Sequence, residues 1–132
     1  MAEMSNYLEV ALLNGTLNAT TFTAPAAVYV ALFTSDPTDA GSGTEVSTSG
    51  TSYSRTAVTF ATASGTSGSV ASNADCTFPQ ATASWGTVGW IGIMDASTAG
   101  NLLYHTALDV SKTIDSGDIF KIASGSLTVT LA

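Results

Sequence analysis

Cys76 and His105 each occur once in the 132 residues, and they are the first candidates for chemistry. A thiol nucleophile needs a base and an orienting partner beside it. Cys76 has neither in its local sequence, so its expected role is that of a small buried apolar residue. His105 could serve as a general base, with Asp95 or Asp109 orienting it and a serine as nucleophile. No serine stands in the Gly-x-Ser-x-Gly turn that would expose such a nucleophile, and the expectation is a satisfied strand histidine. Asp36, Asp39 and Glu45 bring three carboxylates within ten residues. Hard cations such as Ca²⁺ take several oxygen ligands from a loop of this kind. The alternating ladder of an EF-hand is missing, however, and Asp-Pro and Asp-Ala-Gly are ordinary turn chemistry. Trp85, Trp90, Tyr29, Tyr53 and Tyr104 could form a sugar-stacking platform, but aromatics in β proteins more often fill the core. No carboxylate pair marks a glycosidase cleft, and no strand–glycine loop–helix unit marks a phosphate site. The residues therefore assign no catalytic group, no metal ligand and no cofactor, and an enzyme is not expected.

Composition narrows the class. Charged residues make up 10% of the chain, against about 25% in ordinary globular proteins. Hydrophobic residues make up 45%, so polarity is carried by serine and threonine hydroxyls. Threonine, valine and aromatics suit pleated half-buried surfaces, while serine, glycine and asparagine suit turns. An all-β chain follows. The net charge is −7, with Arg55, Lys112 and Lys121 as the permanent cations. Such a chain lacks the basic stripe that phosphates and acidic lipids demand, so neither nucleic acid nor a membrane is an expected partner. The single cysteine fits folding in a reducing compartment. The opening residues lack the basic region and apolar core of a signal peptide, and no run approaches the ~20 apolar residues of a membrane span.

These residues need elements to hold them. Asn6 and Glu9 have the spacing of a capping box, and Leu8, Ala11 and Leu12 follow at helical intervals up to Gly15. This predicts one short helix over residues 7–14, which must dock on something because two turns are marginal alone. The apolar run 26–34 predicts a central strand, and Ser35-Asp-Pro-Thr-Asp-Ala-Gly-Ser-Gly43 opens a long loop reaching residue 52. Residues 53–60 alternate and should turn Val58 and Phe60 inward. Residues 61–69 are small and polar and read as a surface connection. Val70 and then Cys76-Thr-Phe78 give short strand segments, the latter stopped by Pro79.

The stretches 85–95 and 101–108 form a hairpin signal holding both tryptophans and the histidine. Gly86, Gly89 and Gly92 within it imply a bend. Short segments at 112–114 and 119–122 flank an Asp-Ser-Gly-Asp turn, and Leu127, Val129 and Leu131 alternate as the inward face of a last strand. Seven to eight strands at this spacing predict an antiparallel β-sandwich or small barrel. The expected organisation is a single domain over 1–132, with a helix and extended arm over 1–25 and the sandwich over 26–132.

The order of landmarks resembles a family of small tailed-bacteriophage virion proteins. The matching pieces include Ser5-Asn-Tyr-Leu-Glu-Val-Ala-Leu-Leu-Asn14, Val28-Tyr-Val-Ala-Leu-Phe-Thr-Ser-Asp-Pro-Thr-Asp-Ala-Gly41 and Tyr53-Ser-Arg-Thr-Ala-Val-Thr-Phe60. Residues 78–88, 100–105 and 126–132 continue the likeness, which covers nearly the whole chain. The resemblance implies a non-enzymatic structural protein of the virion, assembled in the bacterial cytoplasm, described in the family either as a tail-fibre protein or as a capsid decoration protein. The leading expectation is a cement subunit that stabilises the assembled shell by binding the major capsid protein; the alternative is a tail-fibre or tail-tip module contacting host surface glycans. Homo-oligomers are expected, with Tyr7, Leu8, Leu12, Asp36 and Asp39 as interface residues.

Overall fold

A run of apolar residues with no polar alternation can form a strand only where both of its faces are covered, and Val28–Phe33 meets that condition. In the computed structural model, which describes residues 2–131, this strand (β2) lies one place in from the edge of an antiparallel five-stranded sheet. Its neighbours are β6 (Gly86–Met94) and the edge strand β3 (Thr56–Val58). On the far side β7 (Leu102–Ile114) pairs with β6, and β1 (Glu3–Met4) closes the order β1-β7-β6-β2-β3. Two ribbons, β4 (Ser69–Ala71) with β9 (Thr128–Thr130) and β5 (Cys76–Thr77) with β8 (Lys121–Ile122), complete an all-β sandwich of nine strands with one helix among the described residues.

The two layers meet in one apolar core. Val30, Leu32, Val58, Val88, Ile91 and Ile93 of the sheet pack with Cys76, Phe78, Phe120, Leu127 and Val129 on the ribbon side. Tyr53, Phe78, Trp85 and Phe120 form its aromatic centre, with Tyr53 edge-on to Trp85 at 5.3 Å and Phe78 edge-on to Phe120 at 5.6 Å. Trp85 Nε1 donates to the Thr51 carbonyl at 2.9 Å, so the buried indole leaves no donor unpaired. A smaller cluster of Ala31, Phe33, Met94 and Leu102, with Trp90 against it, lies on the opposite face of the sheet. Gly92 sits beneath it: a Cβ there would stand 2.6 Å from Leu102 Cδ1 and 2.9 Å from the Phe33 ring.

Several expectations are corrected. The helix α1 runs Asn6–Leu17 rather than 7–14, and its cap is Ser5, whose Oγ accepts from the Leu8 amide, rather than Asn6. Gly15 lies inside the helix and does not end it. The 112–114 segment is not separate from the hairpin; β7 is one long strand, and the register against β6 jumps between Val88 and Trp90, at Gly89. That jump, together with the positive φ of Gly86 at 79°, is the irregularity that the glycines signalled. Tyr53 is buried at 3%, although strict alternation through 53–60 set it opposite the inward Val58, because the paired strand begins only at Thr56. Leu131 is 47% exposed and lies past the end of β9, so the last strand turns only Leu127 and Val129 inward. The 35–43 loop is held by the turn chemistry expected of it: Ser42 N donates to the Pro37 carbonyl, Thr44 N donates to Ser35 Oγ, and Pro37 is fully buried.

Cys76 meets its expectation. It is 1% exposed beside the Thr56 and Ala57 carbonyls, and burial pushes its thiol up to about 11. At pH 8 a free cysteine is partly thiolate, while a group at about 11 is almost wholly protonated. The native protein should therefore react with Ellman's reagent at least about a hundredfold more slowly than the urea-unfolded chain at that pH. Equal rates would show that the thiol is accessible.

Candidate functional site

The side chains that sequence reasoning singled out are brought together in two places. The first is a polar network at the end of the sandwich where the β6–β7 turn lies. Glu45 follows the folded loop and bridges to Phe33 at the end of β2. Its Oε2 accepts from Tyr53 Oη at 2.7 Å and from Arg55 Nε at 2.9 Å, while its Oε1 accepts from Arg55 Nη2 at 2.8 Å. Arg55 Nη1 donates in addition to the carbonyls of Ala96 and Ala99 in the β6–β7 turn. Tyr53 Oη accepts from the Leu32 amide at 3.0 Å, so every atom of the network has a partner. The bidentate fork raises the Arg55 guanidinium further above its ordinary value against the opposing effect of burial. Burial, and then the bond to Glu45, push the Tyr53 phenol well above the usual tyrosine range.

The second place is at the sheet edge. His105 is 6% exposed on β7, and its Nε2 lies 2.8 Å from Asp39 Oδ1. Glu3 is its register neighbour on β1, and the donor atoms of Glu3, Asp39 and His105 all lie within 4.8 Å of one another. The partner of the histidine is therefore neither Asp95 nor Asp109, the two that sequence proximity suggested. Asp95 Oδ1 instead accepts from the Asn101 amide and its Oδ2 from the Asn101 side chain, closing the β6–β7 turn.

The three loop carboxylates do not converge. Asp36 accepts from the Thr38 amide in a local turn, Asp39 goes to His105, and Glu45 goes to Arg55. Tyr53 and Trp85 are core residues, Tyr104 packs against the same core, and Trp90 lies on the other face of the sheet, so these four form no common platform. Of the expected interface residues, Tyr7 is 45% exposed, Asp36 and Asp39 are exposed, Leu12 is half-buried and Leu8 is buried at 4%.

Sequence reading missed the outer face of α1. Val10, Leu13 and Leu17 are 57%, 56% and 74% exposed and share a side of the helix with Tyr7. Leu8 and Leu12 occupy the other side, and α1 lies against β7. The signal was present, since Tyr7, Val10, Leu13 and Leu17 are apolar residues beyond those that one buried helix face needs. The backbone fixes the orientation tightly: Ser5 N donates to the Leu103 carbonyl, Ser5 Oγ to the Leu102 carbonyl, and Asn6 N to the Asp39 carbonyl.

With this geometry in hand, comparison with known families is informative. A family model described as podophage GP4 fiber I protein gp80 matches residues 3–130. The chain belongs to this family. It is a phage structural protein, and its place is in the virion. No curated protein sequence matches it.

The Arg55 network makes a quantitative prediction. Arg55→Ala leaves Glu45 without its cation, with Tyr53 as its remaining donor, and two carbonyls without theirs, and should cost about 2–4 kcal/mol of unfolding free energy in urea titrations. Arg55→Lys should recover less than half of that, because an ammonium cannot form the fork. Full recovery by lysine would show that charge alone suffices.

Proposed function

We propose that this chain is a non-enzymatic fibre subunit that assembles with copies of itself through the outer face of α1. The exposed stripe Tyr7, Val10, Leu13 and Leu17 is the observation that carries this reading. Isolated exposed apolar residues are common, whereas four on one side of a single helix mark a surface made to be covered. The family's description as a fibre protein supports the tail address over the capsid-cement address. The cement reading, in which the stripe would bind the major capsid protein, remains the second possibility offered by the sequence resemblance.

A receiving surface of suitable character lies on the same chain. A groove of about 680 Å³ opens between β7 and the ribbon strands, with Ile91, Leu108, Val110, Phe120, Ile122 and Leu127 among its lining residues. Lys112, Lys121 and Asp109 also line it, and Lys121 is already paired with Asp75 at 3.2 Å. The helix offers Glu9 and no basic residue. Subunits of equal negative charge repel one another, so a head-to-tail contact that brings the helix with Glu9 towards Lys112 in this apolar groove is more favourable than helix against helix. Asp36 and Asp39, on the loop beside the N-terminus of α1, would lie at the polar rim of that contact.

Sedimentation of the purified chain tests this. The wild type should form oligomers that dissociate on dilution, and Leu13→Glu or Val10→Glu should yield folded monomers whose thermal midpoint matches that of the dilute, dissociated wild type. Val110→Glu at the groove should do the same. A wild type that stays monomeric at high concentration, and that decorates purified capsids instead, would favour the cement role.

A further inference from the structure

The cluster at the sheet edge invites a ligand of its own. Glu3 and His105 are directly opposed in the β1–β7 ladder, so their side chains emerge on one face. Asp39 reaches the same point from the 35–43 loop. Two carboxylates thus converge on one imidazole in a chain that already carries an excess of seven negative charges. The histidine side chain is 7% exposed, while that of Asp39 is 52% exposed. The site consequently has a rigid floor and an open mouth.

We infer that Glu3, Asp39 and His105 bind a divalent transition-metal ion of the zinc, cobalt or nickel class. An imidazole with two carboxylates suits these ions, whereas Ca²⁺ and Mg²⁺ favour all-oxygen sets. Bonds of about 2.0–2.1 Å set tetrahedral donors about 3.3 Å apart. The His105–Asp39 pair at 2.8 Å need open only slightly, and the Glu3 carboxylate need close in from no more than 4.8 Å. Glu3 is an exposed side chain free to make that move. The remaining coordination positions face solvent and are available to water. Bound there, the ion would join β1, the 35–43 loop and β7, the three pieces to which the start of α1 is hydrogen-bonded or directly connected. It would stabilise the folded chain by mass action, since the unfolded chain holds no such trio together.

The test is calorimetric titration of ZnCl₂ into EDTA-treated protein that carries no histidine tag, paired with the visible spectrum of the Co²⁺ form. The expected result is one ion per chain, a raised thermal midpoint and a Co²⁺ spectrum of low coordination number. Glu3→Gln should weaken binding by at least about tenfold, the smallest loss usual when a metal's ligand environment is disturbed, and Asp39→Asn should weaken it further. His105→Gln removes a buried side chain that the fold could need, so the exposed Glu3 and Asp39 variants decide. No uptake of Zn²⁺, or uptake that either Glu3→Gln or Asp39→Asn leaves unchanged, overturns the site and leaves a plain histidine–aspartate hydrogen bond.

Discussion

The clamp of Arg55 on Glu45 is the contact on which the rest of the sandwich depends. A guanidinium whose side chain is 9% exposed must have its charge and its donors satisfied. Glu45 and the Ala96 and Ala99 carbonyls do this. Those partners belong to the end of the folded loop and to the β6–β7 turn, while Tyr53 carries the same carboxylate inward to the Leu32 amide of β2. Chain segments more than forty residues apart are thereby held at one end of the sandwich. The loop that follows β2, held by its own hydrogen bonds and by buried Pro37, delivers Asp39 to His105 and its carbonyl to the start of α1.

Much of this architecture was legible in the residues. The two-sided apolar run of β2, the hairpin around both tryptophans and the burial of Cys76 follow from hydrophobic pattern and composition, which report what must leave water. Pairings were not legible where they are set by tertiary contact. His105 and Asp39 are 66 positions apart, and nothing in either segment points to the other, so the nearer Asp95 and Asp109 drew attention instead. Tyr53 was assigned to the wrong side because alternation holds only while a strand stays in its ladder, and the ladder begins three residues later. Ser5 displaced Asn6 as the cap since its hydroxyl also serves the Leu102 carbonyl, a second role that no local motif records.

A division of labour runs through the molecule. The interior of the sandwich is apolar and aromatic, and its buried polar side-chain atoms all have partners among the described residues. Two of the features open to a partner lie near the N-terminus, the bare side of α1 and the acids beside His105, while the groove with exposed Val110 lies between β7 and the ribbons. Assembly and metal binding would act on neighbouring parts of the chain, because the metal's ligands include the strand immediately before the helix. A fold of this kind can keep its core constant while the contacts that build a larger particle are tuned at its surface.

The choice of hydroxyls over charges has a last consequence, for survival outside a cell. Trypsin-like proteases cut after lysine and arginine, and this chain offers three such bonds in 132 residues. One follows Arg55, whose side chain is locked in the clamp, and the others follow Lys112 in β7 and Lys121 in β8. Cleavage favours exposed flexible tips over paired strands. The polar, serine-rich loops that are the natural targets of nicking carry almost nothing such an enzyme recognises, so durability is written into the surface composition as well as into the core.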